Sequence, residues 1–192
     1  MAEWMNLALA AAFDSFANTV TNGVAEAVAG AIQQYRLAAE ECRGIGQGVH
    51  PTPNAGQGAS AGGDSIDLAL TRIKSITRFH AVRGSVFSVC VRRMGLQPDT
   101  PWRLQHATAA RHAEMAIRCL GTAKSYGHAA LSVFHRMLRP PSPQAVARAW
   151  APVAELLLRR AIVNLDMAEA SVGKIRPAIG VEYNDARRLL HG

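Results

Sequence analysis

Gly58-Ala59-Ser60-Ala61-Gly62 has the Gly-x-Ser-x-Gly spacing of a nucleophile elbow. That chemistry needs a sharp strand-to-helix turn, which pushes the serine hydroxyl outward and aims backbone N–H groups at a developing oxyanion. No strand-like run precedes Ser60, and its surroundings are rich in Gly, Ser and Ala, so the match reads as coincidental. Gly44-Ile45-Gly46-Gln47-Gly48 is glycine-rich in the manner of a phosphate loop. It lacks the Lys-Ser/Thr pair and opens no helix directly, so it reads as a linker. Seven histidines invite a metal, yet none is spaced i, i+4 from another and none follows a Glu-x-x step. His128 and His135 stand about 10 Å apart along a helix, too far to share one ion. Cys42, Cys90 and Cys119 are odd in number and form no C-x-x-C pair, which fits a reducing compartment and no zinc or disulfide framework. No cofactor or metal is expected.

The elements that would carry these residues read as helices. Hydrophobic residues make up 49% of the 192, charged residues 18% and aromatics 6%, enough apolar material for one core and too little aromatic or β-branched patterning for a sandwich. A first helix is expected over 3–43, with Trp4, Leu7, Ala11, Val20, Val24, Val28, Ile32 and Tyr35 at three-four spacing and Gly44 as its stop. Residues 44–63, with seven glycines and no formal charge, read as a flexible Gly/Pro-rich loop. Asp64 caps a second helix running to Gly95. Thr100-Pro101 starts a third, from Trp102 to about Leu138, with a break expected between Gly121 and Gly127. Pro140, Pro141 and Pro143 end it, and a fourth runs from Ser142 or Pro143 to about Ile175. Pro177 and Gly180 set off a short C-terminal helix over 182–191, the tail being 177–192. The expected fold is all-α: one domain over 1–192, an antiparallel bundle of four long helices plus a short C-terminal one. Ala107, Ala109, Ala110, Ala113 and Ala116 allow close helix approach. Trp4, Trp102 and Trp150 read as core plugs.

Charge is distributed very unevenly. Residues 1–67 hold 2 basic and 7 acidic side chains, 68–154 hold 13 basic and 2 acidic, and 155–192 hold 6 and 5. The net charge of +7 therefore conceals a strongly basic central hairpin behind an acidic first helix. Such a hairpin repels itself without counter-charge, and either an acidic helix or a polyanion supplies it. On a helical wheel Lys74, Arg78, Arg92 and Arg93 fall opposite the apolar face. Arg103 and Arg111 extend the set onto the third helix. Arg72 and Arg83 lie at the edge of the apolar face, where an ion pair is expected. Arg outnumbers Lys 18 to 3; guanidinium suits bidentate phosphate contact, although codon bias in a GC-rich genome produces the same excess.

These features lead to a non-enzymatic, self-assembling, nucleic-acid-binding structural protein, coat- or nucleoprotein-like. Its hairpin would hold RNA or DNA phosphates without base readout, and its acidic N-terminal helix would make subunit contacts. The alternative is a helical adaptor whose basic surface docks an acidic protein partner. A third reading starts from Arg187-Arg188-Leu189-Leu190-His191. It resembles the Arg-x(4–6)-His signature of HEPN ribonucleases, one residue short in spacing, and the resemblance implies a helical bundle that cleaves RNA with Arg187 and His191. No Lys or Arg precedes Arg36, so no secretory signal is expected. No uncharged apolar run is long enough for a membrane span. A soluble, intracellular protein is expected, in a virion or nucleoprotein particle if viral.

Overall fold

The computed structural model describes the backbone of residues 23–93, 101–138 and 144–191. It describes the side chains of 23–74, 111–138, 144–175, 177 and 178. Four helices account for nearly all of this: α1 (Ala25–Gly46), α2 (Asn54–Arg93), α3 (Pro101–Leu138) and α4 (Gln144–His191). No strand occurs among the described residues.

The helices share one hydrophobic rhythm. Buried residues recur by alternating steps of three and four: Val24, Val28, Ala31, Tyr35, Ala38, Cys42 and Ile45 on α1, and Ala55, Ala59, Gly62, Ile66, Ala69 and Ile73 on α2. The same steps run through positions 113–137 of α3 and 147–175 of α4. A strict 3.5-residue period keeps one seam facing the partners if helices wind gently around each other, the geometry of a left-handed bundle. Alanine fills much of each seam, so backbones approach closely. Leu120, Phe134, Leu158, Leu165 and Ile175 fill the wider gaps, fully buried, each contributing about 1.5–3 kcal/mol of transfer free energy.

Register fixes the topology. Gly30 faces Ser65, and Gly58 faces Gln34 and Ala38, so α1 and α2 run opposite ways. Asp67 meets Lys124, and Gly56 meets Phe134, which makes α3 antiparallel to α2. Arg136 lies over Trp150, and Arg160 over Tyr126, which reverses α4 against α3. Arg43 reaches Glu155, and Gly48 reaches Gln144 and Arg148, closing α4 onto α1. The order around the bundle is α1, α2, α3, α4 and back to α1, an up-down-up-down four-helix bundle.

Three expectations need correction. The Gly/Pro-rich segment is not a loop over 44–63. Helix α1 continues to Gly46 and ends in a Schellman turn, with Val49 N–H donating to Gly44 O (3.0 Å), Gly48 N–H to Ile45 O (3.0 Å), and Gly48 at φ 106°. That φ suits a residue without Cβ. Helix α2 then begins at Asn54, ten residues before the expected cap at Asp64. Residues 54–63 are helical because their small residues let α1 sit close: a Cβ on Gly58 would lie 3.3 Å from Gln34 O, and packing outweighs weak intrinsic propensity. Helix α3 has no break between Gly121 and Gly127. Finally, 182–191 is not a separate element. Helix α4 runs through Pro152 and Pro177; each proline removes one ladder hydrogen bond, but buried Ala151 and Ala154 flank one, and Ile175 and Ala178 pack on the core around the other.

Positions 1–22 of the expected first helix, the 94–100 turn with Thr100, and the prolines at 140, 141 and 143 lie outside the described residues.

Candidate functional site

Helices α2 and α3 form the basic hairpin. The six candidate phosphate contacts lie on its two helices, with Arg92 and Arg93 ending α2 and Arg103 near the start of α3. Lys74 and Arg111 are exposed. The side chains of Arg78, Arg92, Arg93 and Arg103 lie outside the described residues, as do those of Arg83, Trp102, Arg187 and His191. Arg72 is half-buried and donates to Gly23 O at 2.6 Å. Lys124 is committed to Asp67 at 2.6 Å.

A polar recess opens between α1, α2 and α3, and no sequence pattern pointed to it. Tyr35 projects from α1 across the core, and the space for its ring comes from two glycines on the facing helices. A methyl at Gly62 would overlap the ring carbons, and one at Gly127 would overlap the hydroxyl. The Tyr35 hydroxyl is buried and makes no hydrogen bond. Burial, reinforced by the nearby Asp67 charge, pushes its pKa from 10.0 up to about 12, so it stays a neutral phenol across the physiological range. Outside it, Ser60, Asp64, Asp67, Lys124 and His128 line a recess of about 70 Å³, room for a few water molecules.

Ser60 and His128 share this recess, but the nucleophile-elbow chemistry does not follow. Ser60 sits inside the continuous α2, where backbone N–H groups already serve the i→i−4 ladder and none is free to form an oxyanion hole. Among the described residues no group of three or more His, Cys, Asp or Glu could hold a metal ion. Cys42 and Cys119 are free and buried. Burial, then the charges of Glu155 and Glu41, raises the Cys42 thiol from 9.0 to about 12, and burial raises Cys119 as well, the opposite of an activated thiolate.

The α1–α4 contact carries a charge cluster. Burial raises the pKa of Glu155, but hydrogen bonds from Arg159 (2.7 Å) and Arg43 (3.2 Å), together with their charges, outweigh it and leave the carboxyl below its ordinary value. Beside it, α4 presents an apolar outer face. Val146, Val153, Leu156, Val163 and Met167 are all exposed. The signal for this face is in the sequence as a second three-four series, out of phase with the buried one, and Val153 belongs to it.

Among the described residues no helix is long and apolar enough to cross a membrane. No known protein family, curated protein or solved structure matches this chain.

Proposed function

We propose that this chain is a non-enzymatic, self-assembling structural protein, coat- or nucleoprotein-like, that holds RNA or DNA by its phosphate backbone along the α2–α3 hairpin. One observation carries the reading: 13 basic against 2 acidic side chains in residues 68–154, 11 of the basic ones on two helices that the bundle packs side by side. Lys74, Arg78, Arg92, Arg93, Arg103 and Arg111 are the contacts, and they act on phosphates, not on base edges. The acidic first helix supplies counter-charge to a neighbouring subunit when nucleic acid is absent.

Fluorescence anisotropy with labelled RNA and duplex DNA over a salt series tests it. Six phosphate contacts give log K against log salt a slope of about −5 on duplex DNA, with little dependence on sequence. Replacing Lys74 and Arg111 with Glu flattens the slope by roughly one per lost contact. Absence of salt-dependent binding to either nucleic acid refutes the reading and leaves an acidic protein as the partner of the hairpin.

A further inference from the structure

We propose, resting on the nucleic-acid reading of this chain, that the outward groove between α3 and α4 is a second phosphate track and takes single-stranded nucleic acid. The carboxylates of these two helices are segregated by flank. On α4, Glu155 is held by Arg43 of α1, and Asp166 and Glu169 line the α1–α4 groove. Glu114, the only carboxylate of α3, lies two heptads before His128, on the stripe that faces the α2 recess. Among the described residues, no carboxylate of either helix is therefore left on the flank where α3 and α4 meet. That flank carries Arg136, Arg160 and Lys174, all exposed. Lys174 follows Arg160 by two heptads and so shares its stripe. The other two grooves mix both signs: Arg36 with Asp166 and Glu169 between α1 and α4, and Lys124 with Asp64 and Asp67 between α2 and α3.

Arg136 lies over Trp150 at 5.7 Å, and Arg160 over Tyr126 at 6.0 Å. A ring beneath a guanidinium holds it in place, so less side-chain freedom is lost when it binds a phosphate or stacks on a base. The two guanidinium groups stand about 15 Å apart along the groove, and Lys174 lies about 21 Å beyond Arg160. Between these cations the rim is apolar. Val153 lies between the two arginines, Met167 and Met115 between Arg160 and Lys174, and all three are exposed. An unpaired strand offers its phosphates to the cations and its open base faces to the apolar side chains and guanidinium planes. A duplex keeps those faces stacked inside. Arg118 and Arg111, exposed one heptad apart on the outer side of α3, join the groove to the hairpin, where Arg111 is already a contact.

Anisotropy titrations of the full chain with labelled oligo-dT, oligo-U and a duplex of equal length, over a salt series, test the track. The single strands should bind several-fold more tightly than the duplex. Arg136→Glu with Arg160→Glu should raise the single-strand Kd at least tenfold at low salt and flatten the slope of log K against log salt by about 1.4, two contacts at roughly 0.7 each. Arg136→Gln with Arg160→Gln should act in the same direction, less strongly. Arg36→Glu, the same charge change in the α1–α4 groove, should leave the Kd within about twofold. Circular dichroism should be unchanged in every variant, because these side chains are exposed. If the groove variants bind single strands as the parent does while Lys74→Glu with Arg111→Glu still flattens the slope, the track is overturned and the hairpin reading stands. An equal loss from Arg36→Glu reduces the effect to net charge and also overturns the track. Equal losses on strand and duplex overturn the choice of ligand. Absence of salt-dependent binding to all three probes overturns the track and the hairpin reading together.

Discussion

Leu156 and Leu158 are two residues apart on the same helix, and they live in different chemical settings. Leu158 is fully buried in the core, whereas Leu156 is 53% exposed. The layer around Tyr35 sharpens the contrast. There the largest core side chain is matched by two glycines on the facing helices, while the outer face of α4 tolerates any side chain that avoids its own neighbours. The same three-four spacing thus does two jobs. Inside, the fit of large against small determines which helices meet; outside, it leaves apolar area exposed to water.

The largest expected effect separates the two leucines. Leu158→Ala should destabilise the bundle by about 2–5 kcal/mol through lost burial and the cavity it leaves. Leu156→Ala should change the stability of the single bundle by no more than about 0.5 kcal/mol. Urea melts of both, at concentrations that keep the protein monomeric, give the comparison, and equal losses would erase the distinction between the faces.

Next come the glycines that admit Tyr35. Gly62→Ala and Gly127→Ala should each cost about 1–3 kcal/mol from overpacking. They should respond differently to a second change. Tyr35→Phe removes the atom that a Gly127 methyl meets first, so it should recover part of the Gly127→Ala loss. It should leave Gly62→Ala unrelieved, because that methyl meets ring carbons. A double-mutant cycle measures the difference.

Alkaline pH probes the same interior more gently. Tyr35 and Cys42 ionise in the unfolded chain near 10.0 and 9.0 but in the folded chain only near 12. The folded state therefore binds more protons above these ordinary values. Stability should be level below about pH 9 and fall as pH rises toward 12. Thermal melts between pH 8 and 11.5 should show this fall, and Cys42→Ala should shift its onset upward.

The smallest effect lies at the α1–α4 contact. Glu155→Gln should cost about 1 kcal/mol or less, since both arginines around it are solvent-exposed. The carboxyl lies below its ordinary value when folded, so its contribution is present above that value and fades as pH falls through the lowered one. Acid melts of the two proteins should converge at low pH.

The helical class and the antiparallel order were legible, because apolar residues such as Val24, Val28, Ile66 and Leu165 recur at helical spacing wherever the chain is read. The extent of the helices was less so. Gly58 and Gly62 look like loop residues in isolation and become helix residues once α1 is laid against them. Pro177 looks like a terminator, yet the helix continues past it on the strength of its flanking core contacts. The Tyr35 recess was not legible at all: it joins residues 35, 62 and 127 from three helices, a conjunction that exists only after folding. The basic hairpin was legible as charge, and its two helices are neighbours. The second seam of α4 was present in the spacing of Val146, Val153, Leu156 and Val163, but one period masks another when both run through one helix.

The turn after α1 has a consequence for the order in which the chain assembles. Its left-handed Gly48 lies against Arg148, and its carbonyl accepts a hydrogen bond from Gln144 at 3.1 Å. Both partners belong to the first two turns of the last helix, about a hundred residues downstream. As the polypeptide is made, α1, α2 and α3 can pair with their sequence neighbours in turn. The ring stays open until α4 arrives, and one end of that helix locks a bend formed early in synthesis while its flank joins the first helix to the third.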